Sequence, residues 1–338
     1  METIKKLRMN STSIKDQSWK AYQRTIEQMA LSLTGEEYVN NSFLDDRVAV
    51  SVYLDTLTAA KKRMALSVIL ILISPIKYDP IKTKEDNYIH YQKLLRQHGI
   101  ESDTTVSKQE KSINQTENWV EWKSIIKIQK TKYQNWLKHK FHNLKTLNKD
   151  EMLFLQDIFI LSLYTLIPPR RLDYANMLMI SRKSYNSLNG DTKEHNNYLV
   201  IVGRNRKFFS FGKQAQKNKN VDRNGIKQSV YVLDIPKQLN KILNIFIKFH
   251  TNPITDVVLT SNLLLNTRGN AMSINGLSKC IMRIMKDAFP DKRITATMLR
   301  TIYITSLLKN DTNLTIKQSN AEKMGNTVGV QEKYYSKK

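Results

Sequence analysis

The sequence predicts a mainly α-helical protein that carries a small antiparallel β-sheet and is divided into two domains. Three observations lead to this fold class. Apolar residues recur every three or four positions in several long segments, which is the spacing of one helix face. Three short segments rich in β-branched and aromatic residues fall together between residues 198 and 233. A polar stretch at residues 99–115 separates two apolar regions, and 338 residues are enough for two domains.

The first domain is predicted to be all helical and to cover residues 1–105. Its first helix is indicated by apolar residues three and four positions apart: Trp19, Tyr22, Ile26, Met29 and Leu33. The most apolar run of the chain is Ala65 to Ile73. It has about half of the roughly 20 residues that a membrane-spanning helix needs, so we expect a buried helix.

A linker is predicted over residues 106–118, because the polar stretch there has few apolar residues to bury. The second domain then covers residues 119–338. It begins with a basic segment, Lys127 to Lys145, in which Tyr133, Trp136 and Phe141 alternate with lysines. Such a pattern suits a surface that follows a nucleic-acid strand. It suits equally well a solvated helix face above an aromatic core stripe.

A buried helix is predicted after Asn148, which is a suitable N-cap. The helix ends at a Pro168-Pro169 pair, and Arg170 and Arg171 follow directly. Arg170 lies three residues before Asp173, and two prolines would fix the turn that carries it. From the residues alone, a simple surface pair that faces Asp173 is the favoured interpretation of the two arginines.

Three strands are predicted next, forming an antiparallel sheet. They cover Tyr198 to Val202, Lys207 to Lys213 and Ser229 to Leu233, where valine, isoleucine, tyrosine and phenylalanine are concentrated.

The last part of the chain, Ile294 to Tyr335, combines an arginine, a turn and two tyrosines. Arg300 lies on an amphipathic helix that includes Thr297, and a turn at Met324-Gly325-Asn326 follows after a polar loop. Tyr334 and Tyr335 come almost at the end.

The charge indicates a polyanionic partner. The net charge is +24 and the isoelectric point about 9.8. Such an excess repels itself unless it meets a polyanion, and nucleic acid is the expected one because lysine and arginine release counterions from phosphates. The alternative is a soluble, lysine-rich chain that reflects an AT-rich genome.

The sequence gives little support for a disulfide framework or a metal site. The single cysteine, Cys280, excludes a disulfide framework, and the 6 histidines form no cluster with metal-ligand spacing. We therefore expect no metal, no cofactor and no membrane span.

The order of the motifs in the second domain resembles the tyrosine recombinase (phage integrase) family. That family has an arginine in Arg-x-x-Glu, a lysine on a hairpin, His-x-x-Arg on a helix, Leu-Gly-His and a terminal tyrosine. Arg170 and Asp173 match the first motif, with aspartate in place of glutamate. Arg300 matches the second arginine, while Thr297 and Asn326 stand where the two histidines would be. Tyr335 lies at the family spacing from Asn326, and Tyr334 is one residue short of it.

The resemblance implies a role for each of these residues. Arg170 and Arg300 would hold the scissile phosphate, and Tyr335 would attack it to form a 3′-phosphotyrosine without a metal. Lys213 is the choice for the lysine that protonates the leaving 5′-oxygen, with Lys207 and Lys217 as rivals. Thr297 and Asn326 would hydrogen-bond the phosphate. The fold implied is a helical N-terminal DNA-binding domain followed by an α+β catalytic domain.

The function implied is a site-specific DNA recombinase or integrase of a virus or other mobile element. It would act inside cells on double-stranded DNA as a homo-oligomer, a tetramer on DNA. Two alternatives stay open: a type IB topoisomerase-like enzyme, and a DNA-binding protein of the same fold that has lost catalysis.

Overall fold

A computed structural model describes residues 16–73, 83–212, 230–249, 262–309 and 313–338. The chain divides into two compact units, Met1–Lys108 and Gln109–Lys338. The architecture is mainly helical with one small sheet, which confirms the predicted fold class.

The described part of the first unit consists of helices. These are α1 (Asp16–Thr34), α2 (Arg47–Asp55), α3 (Ala59–Leu72) and α4 (Thr83–Ser107), with a 3₁₀ turn at Ser42–Asp45. The apolar run predicted as a buried helix lies in α3, whose side chains from Ala65 to Leu72 form much of the core. The Tyr91 hydroxyl donates to the Leu44 carbonyl at 2.7 Å, so α4 is joined to the 3₁₀ turn by a buried hydrogen bond.

The predicted linker is more ordered than its composition suggests. Helix α4 continues to Ser107, and a short helix, α5 (Ile113–Glu117), follows. Ser112 and Gln115 form a reciprocal capping box that explains why this polar segment is helical. The division between the units falls inside the predicted linker, but most of that segment belongs to the second unit.

The second unit is built around one helix that is buried on nearly all sides. This is α7 (Lys149–Thr165), in which every residue from Leu155 to Tyr164 is buried. The capping box between Asn148 and Glu151 confirms its predicted start. Around it pack α6 (Trp122–Lys138), α10 (Lys237–Lys248) and α11 (Ile274–Ala288).

Among the described residues, the sheet has four strands rather than the predicted three, and it is mixed rather than purely antiparallel. Its strands are β1 (Leu178–Ser181), β2 (Tyr198–Ile201), β3 (Lys207–Phe211) and β4 (Tyr231–Asp234), in that spatial order. β1 runs parallel to β2, and the other pairs are antiparallel. The sequence Leu-Met-Ile-Ser gave little sign of β1, because leucine and methionine favour helices as readily as strands. Two short helices, α8 (Arg182–Ser187) and α9 (Gly190–His195), connect β1 to β2.

The chain ends in three helical elements. These are α12 (Ala296–Leu308), α13 (Leu314–Met324) and α14 (Val328–Val330), followed by a π-helical turn at Gln331–Tyr335. The Ser336 N–H donates to the Gln331 carbonyl at 3.0 Å, closing this wide turn.

None of the described helices is long and apolar enough to cross a bilayer. The described residues also contain no group of three or more His, Cys, Asp or Glu side chains that could hold a metal ion.

Candidate active site

Two buried arginines hold the C-terminal end of α13. Gly325 ends this helix in the left-handed conformation at φ 67°, which glycine adopts without a steric penalty. Arg170 Nη1 donates to the Lys323 carbonyl at 2.7 Å, and Arg300 Nη1 donates to the Met324 carbonyl at 3.3 Å. The last carbonyls of a helix lack internal partners and carry its negative end, so a cation there is favourable. Arg170 and Arg300 are thus brought together at the end of α13, and their role at a phosphate stays a prediction.

Arg170 is enclosed by protein, with 0% of its surface exposed. Its Nε donates to Asp173 Oδ2 at 2.9 Å, which is the pairing that Arg-x-x-Asp suggested. Its guanidinium carbon lies 3.9 Å from the ring centroid of Phe211 and 5.6 Å from that of Tyr231. Arg170 therefore joins the Pro-Pro turn, the sheet and α13.

Arg300 is equally buried, with 1% of its surface exposed, but some of its N–H groups lack hydrogen-bond acceptors in the described part of the chain. Besides the Met324 carbonyl, its Nη1 donates to the Pro169 carbonyl at 2.9 Å. Its Nε and Nη2 have no acceptor at hydrogen-bonding geometry among the described residues. Burial lowers the pKa of Arg300, and the interaction with Tyr335 acts in the opposite direction. Buried donors without acceptors are uncommon in proteins and suit a site that receives an anion.

Tyr335 lies against Arg300. The guanidinium carbon of Arg300 is 5.2 Å from the centre of the tyrosine ring. The backbone is fixed by α12, because Thr305 Oγ1 donates to the Tyr335 carbonyl at 3.2 Å and accepts from the Lys337 N–H. Burial alone would raise the pKa of Tyr335. The positive charges of Arg300 and Arg171 and polar interactions with both outweigh it, so this pKa lies below the ordinary 10.0.

Tyr334 lies in different surroundings. Its side chain is 47% exposed, and its ring lies 5.3 Å from the Lys333 ammonium group. Of the two neighbouring tyrosines, Tyr335 is therefore the one that the structure brings to the arginines.

An open cavity of about 570 Å³ borders Tyr335. Its lining includes Arg171, Asp173, Thr297 and Tyr335. Thr297 is exposed there, one helical turn before Arg300 on α12. This cavity is an open space that Tyr335 and the partly buried Arg171 both line.

Arg171 and Asn326 meet at the same place. Arg171 Nη2 donates to Asn326 Oδ1 at 3.2 Å. Asn326 is 5% exposed, and its Nδ2 has no acceptor among the described residues. Sequence reasoning treated Arg171 only as a neighbour of Arg170. The signal that could have identified it is the arginine doublet after two prolines, since consecutive residues in a turn face different sides.

The predicted lysine is not located by the structure. Lys213 and its rival Lys217 lie outside the described residues. The other rival, Lys207, begins β3, whereas Phe211 at the end of β3 contacts Arg170. Four residues of strand separate them by about 13 Å. Lys207 is buried and donates to the Arg204 carbonyl and to the side-chain oxygens of Asn240 and Asn244.

For the basic segment 127–145, the structure supports the interpretation as a solvated helix face above an aromatic core. Trp136 is fully buried and packs against Phe141, with ring centroids 5.0 Å apart. Lys127, Lys130 and Lys138 are exposed. The aromatic residues thus belong to the core, and the lysines form a solvated face.

Comparisons with known proteins add little information about the function. No family model matches the chain, and no curated protein matches it in sequence. Among solved structures, the crystal structure of XerA recombinase aligns over 100% of this chain and 94% of its own, with a TM-score of 0.40 and 10% sequence identity. So loose a likeness leaves the function to be inferred from the side chains themselves.

Proposed function

We propose that this protein is a DNA strand transferase of the tyrosine recombinase type, which cleaves and rejoins DNA through a 3′-phosphotyrosine. The observation that carries the proposal is the position of Tyr335, against the Arg300 guanidinium and beside an open cavity that Arg171 also lines. A tyrosine is a weak nucleophile at its ordinary pKa, and neighbouring cations favour its phenolate.

The chemistry needs a cation at the reacting phosphate. The Tyr335 phenolate, whose proton has passed to solvent, would form a bond to phosphorus while the bond to the 5′-oxygen breaks. That oxygen would take up a proton from Lys213 and leave as a 5′-hydroxyl. Charge grows on the non-bridging oxygens during this step. Arg300 has two buried donors without acceptors to stabilise that charge. Asn326 has one more, and an amide donor can replace part of what a histidine would contribute.

The remaining roles follow the resemblance to the family. Arg170 is the exception: the resemblance gives it a phosphate contact, but it is enclosed and bonded to the end of α13, so we propose that it supports the site by holding that helix. Lys213 would protonate the leaving oxygen. The exposed Thr297 would bind phosphate from the cavity side. The helical first unit would grip double-stranded DNA, and the protein would act inside cells as a tetramer on DNA, for integration of a viral or other mobile element.

Two other functions are distinguished by experiment. A type IB topoisomerase-like enzyme would share the covalent step but relax DNA without joining two sites. A DNA-binding protein that has lost catalysis would bind DNA and form no adduct. The neutral residues Thr297 and Asn326, at positions where the family has histidines, favour this last alternative.

The test traps the covalent intermediate. The protein is mixed, in EDTA, with DNA duplexes that carry a nick just past a candidate cleavage site, and adducts are mapped by mass spectrometry of the peptides. We expect the adduct on Tyr335. Tyr335→Phe removes only the hydroxyl and should abolish it, while the matched variant Tyr334→Phe should retain it.

One result would change the assigned nucleophile, and another would overturn the proposal. A nucleotide on Tyr334 would move the nucleophile and keep the mechanism. No adduct from the parental protein, on DNA that it binds, would favour the DNA-binding protein without catalysis.

A further inference from the structure

Arg171 differs from its neighbour Arg170 in what surrounds it. Arg170 is enclosed and bound to Asp173 and to the Lys323 carbonyl. Arg171 is only partly buried and lines the cavity together with Thr297 and Tyr335. A ligand that enters the cavity therefore meets Arg171, whereas Arg170 does not line it.

Asn326 fixes the Arg171 side chain without neutralising it. The asparagine is held by the glycine turn, where its backbone N–H donates to the Ala321 carbonyl at 2.9 Å. Its Oδ1 accepts from Arg171 Nη2. A carboxylate at this place would cancel the positive charge, whereas a neutral amide orients the guanidinium and leaves the charge available to an anion.

We infer that Arg171, positioned by Asn326, is a further catalytic residue that binds a non-bridging oxygen of the scissile phosphate beside Tyr335. The inference rests on the proposed function. It also accounts for the neutral residues at positions 297 and 326, because Arg171 supplies charge that histidines would otherwise provide. The influence of Arg171 on the pKa of Tyr335 is consistent with this closeness.

The experiment compares Arg171→Gln and Arg171→Lys with the parental protein. Glutamine keeps a polar side chain without the charge, and lysine keeps the charge without the planar fork. Adduct formation is measured at saturating protein on nicked DNA, once with the natural phosphodiester and once with a methylphosphonate at the scissile position. The methylphosphonate lacks the negative charge that Arg171 would bind. Arg268→Gln, on an exposed loop, is the matched control.

We expect Arg171→Gln to slow adduct formation by roughly 10²-fold on the phosphodiester, as loss of one charge-stabilising donor does elsewhere. The defect should shrink markedly on the methylphosphonate. The pH at which the rate levels off should rise, because removing a nearby cation raises the pKa of a phenol. The adduct rate of Arg171→Lys should lie between those of the parental protein and Arg171→Gln. Asn326→Ala should slow the reaction less than Arg171→Gln. The Tyr164 hydroxyl donates to the Arg171 backbone carbonyl, so that contact survives all these substitutions.

The outcomes distinguish failure of the inference about Arg171 from failure of the proposed function. A parental adduct together with an unchanged rate in Arg171→Gln would overturn the inference and leave the function standing. So would an equal defect on both substrates, since that marks a structural role. A parental protein that forms no adduct would remove both.

Discussion

The described part of the second unit buries three cations, Arg170, Lys207 and Arg300, and the last two differ in their partners. Lys207 is 5% exposed, and its ammonium group has three oxygen acceptors, at 2.7, 3.1 and 2.5 Å. An ammonium group has three donors, so Lys207 is fully matched. Arg300 is 1% exposed, and two of its three nitrogens have no acceptor among the described residues.

The difference separates a cation whose donors all have acceptors from one that keeps donors without acceptors within the described ranges. A buried donor without an acceptor costs about 1–3 kcal/mol. The fold avoids that cost around Lys207 by supplying two asparagine oxygens and a carbonyl. Around Arg300 it leaves two donors open beside a tyrosine. Under the proposed function, these donors are where a phosphate would complete the site.

The largest effect is expected for Arg300→Lys. Lysine keeps the charge but cannot present two donors in the fixed geometry of a guanidinium. Adduct formation on nicked DNA should fall by roughly 10²- to 10³-fold, the loss that follows removal of one transition-state donor. DNA affinity, measured by fluorescence anisotropy, should stay within a few-fold of the parental value. A variant that cleaves at the parental rate would show that the open donors play no part in the reaction.

A smaller and different effect is expected for Lys207→Met. Methionine fills a similar volume but leaves the oxygens of Asn240 and Asn244 without their donor. The free energy of unfolding should fall by about 1–3 kcal/mol, measured by urea denaturation. The adduct rate of the folded fraction should stay within about threefold, because β3 separates Lys207 from the site by about 13 Å. A large loss of rate without loss of stability would instead make Lys207 a candidate for the reaction.

Sequence reasoning identified most of the elements that carry the site. The N-cap at Asn148, the turn at Gly325 and the pairing of Arg170 with Asp173 depend on neighbouring residues, so local patterns reveal them. The spacing from Asn326 pointed to Tyr335 rather than Tyr334. The structure brings Tyr335 to Arg300, and its role remains a prediction.

What sequence reasoning missed depends on contacts between distant parts of the chain. The contact of Arg171 with Asn326 joins residues 155 positions apart. The complete enclosure of Arg170 comes from Phe211 and from the end of α13, neither of which lies near it in sequence. Strand β1 is stabilised by pairing with β2 across α8 and α9, so its own four residues carry little signal.

The smallest expected effect is on the salt dependence of DNA binding, and it tests the comparison directly. With a net charge of +24, affinity should fall steeply with salt, because each phosphate neutralised contributes a slope of about 0.9 in log K against log salt. Arg300→Met and Lys207→Met each remove one positive charge, so any general effect of net charge is the same in both. Only a cation that meets a phosphate in the complex releases a counterion. Arg300→Met should therefore reduce the slope by about one unit, and Lys207→Met should leave it at the parental value. Equal slopes in the two variants would mean that Arg300 meets no DNA phosphate, and its open donors would then need another explanation.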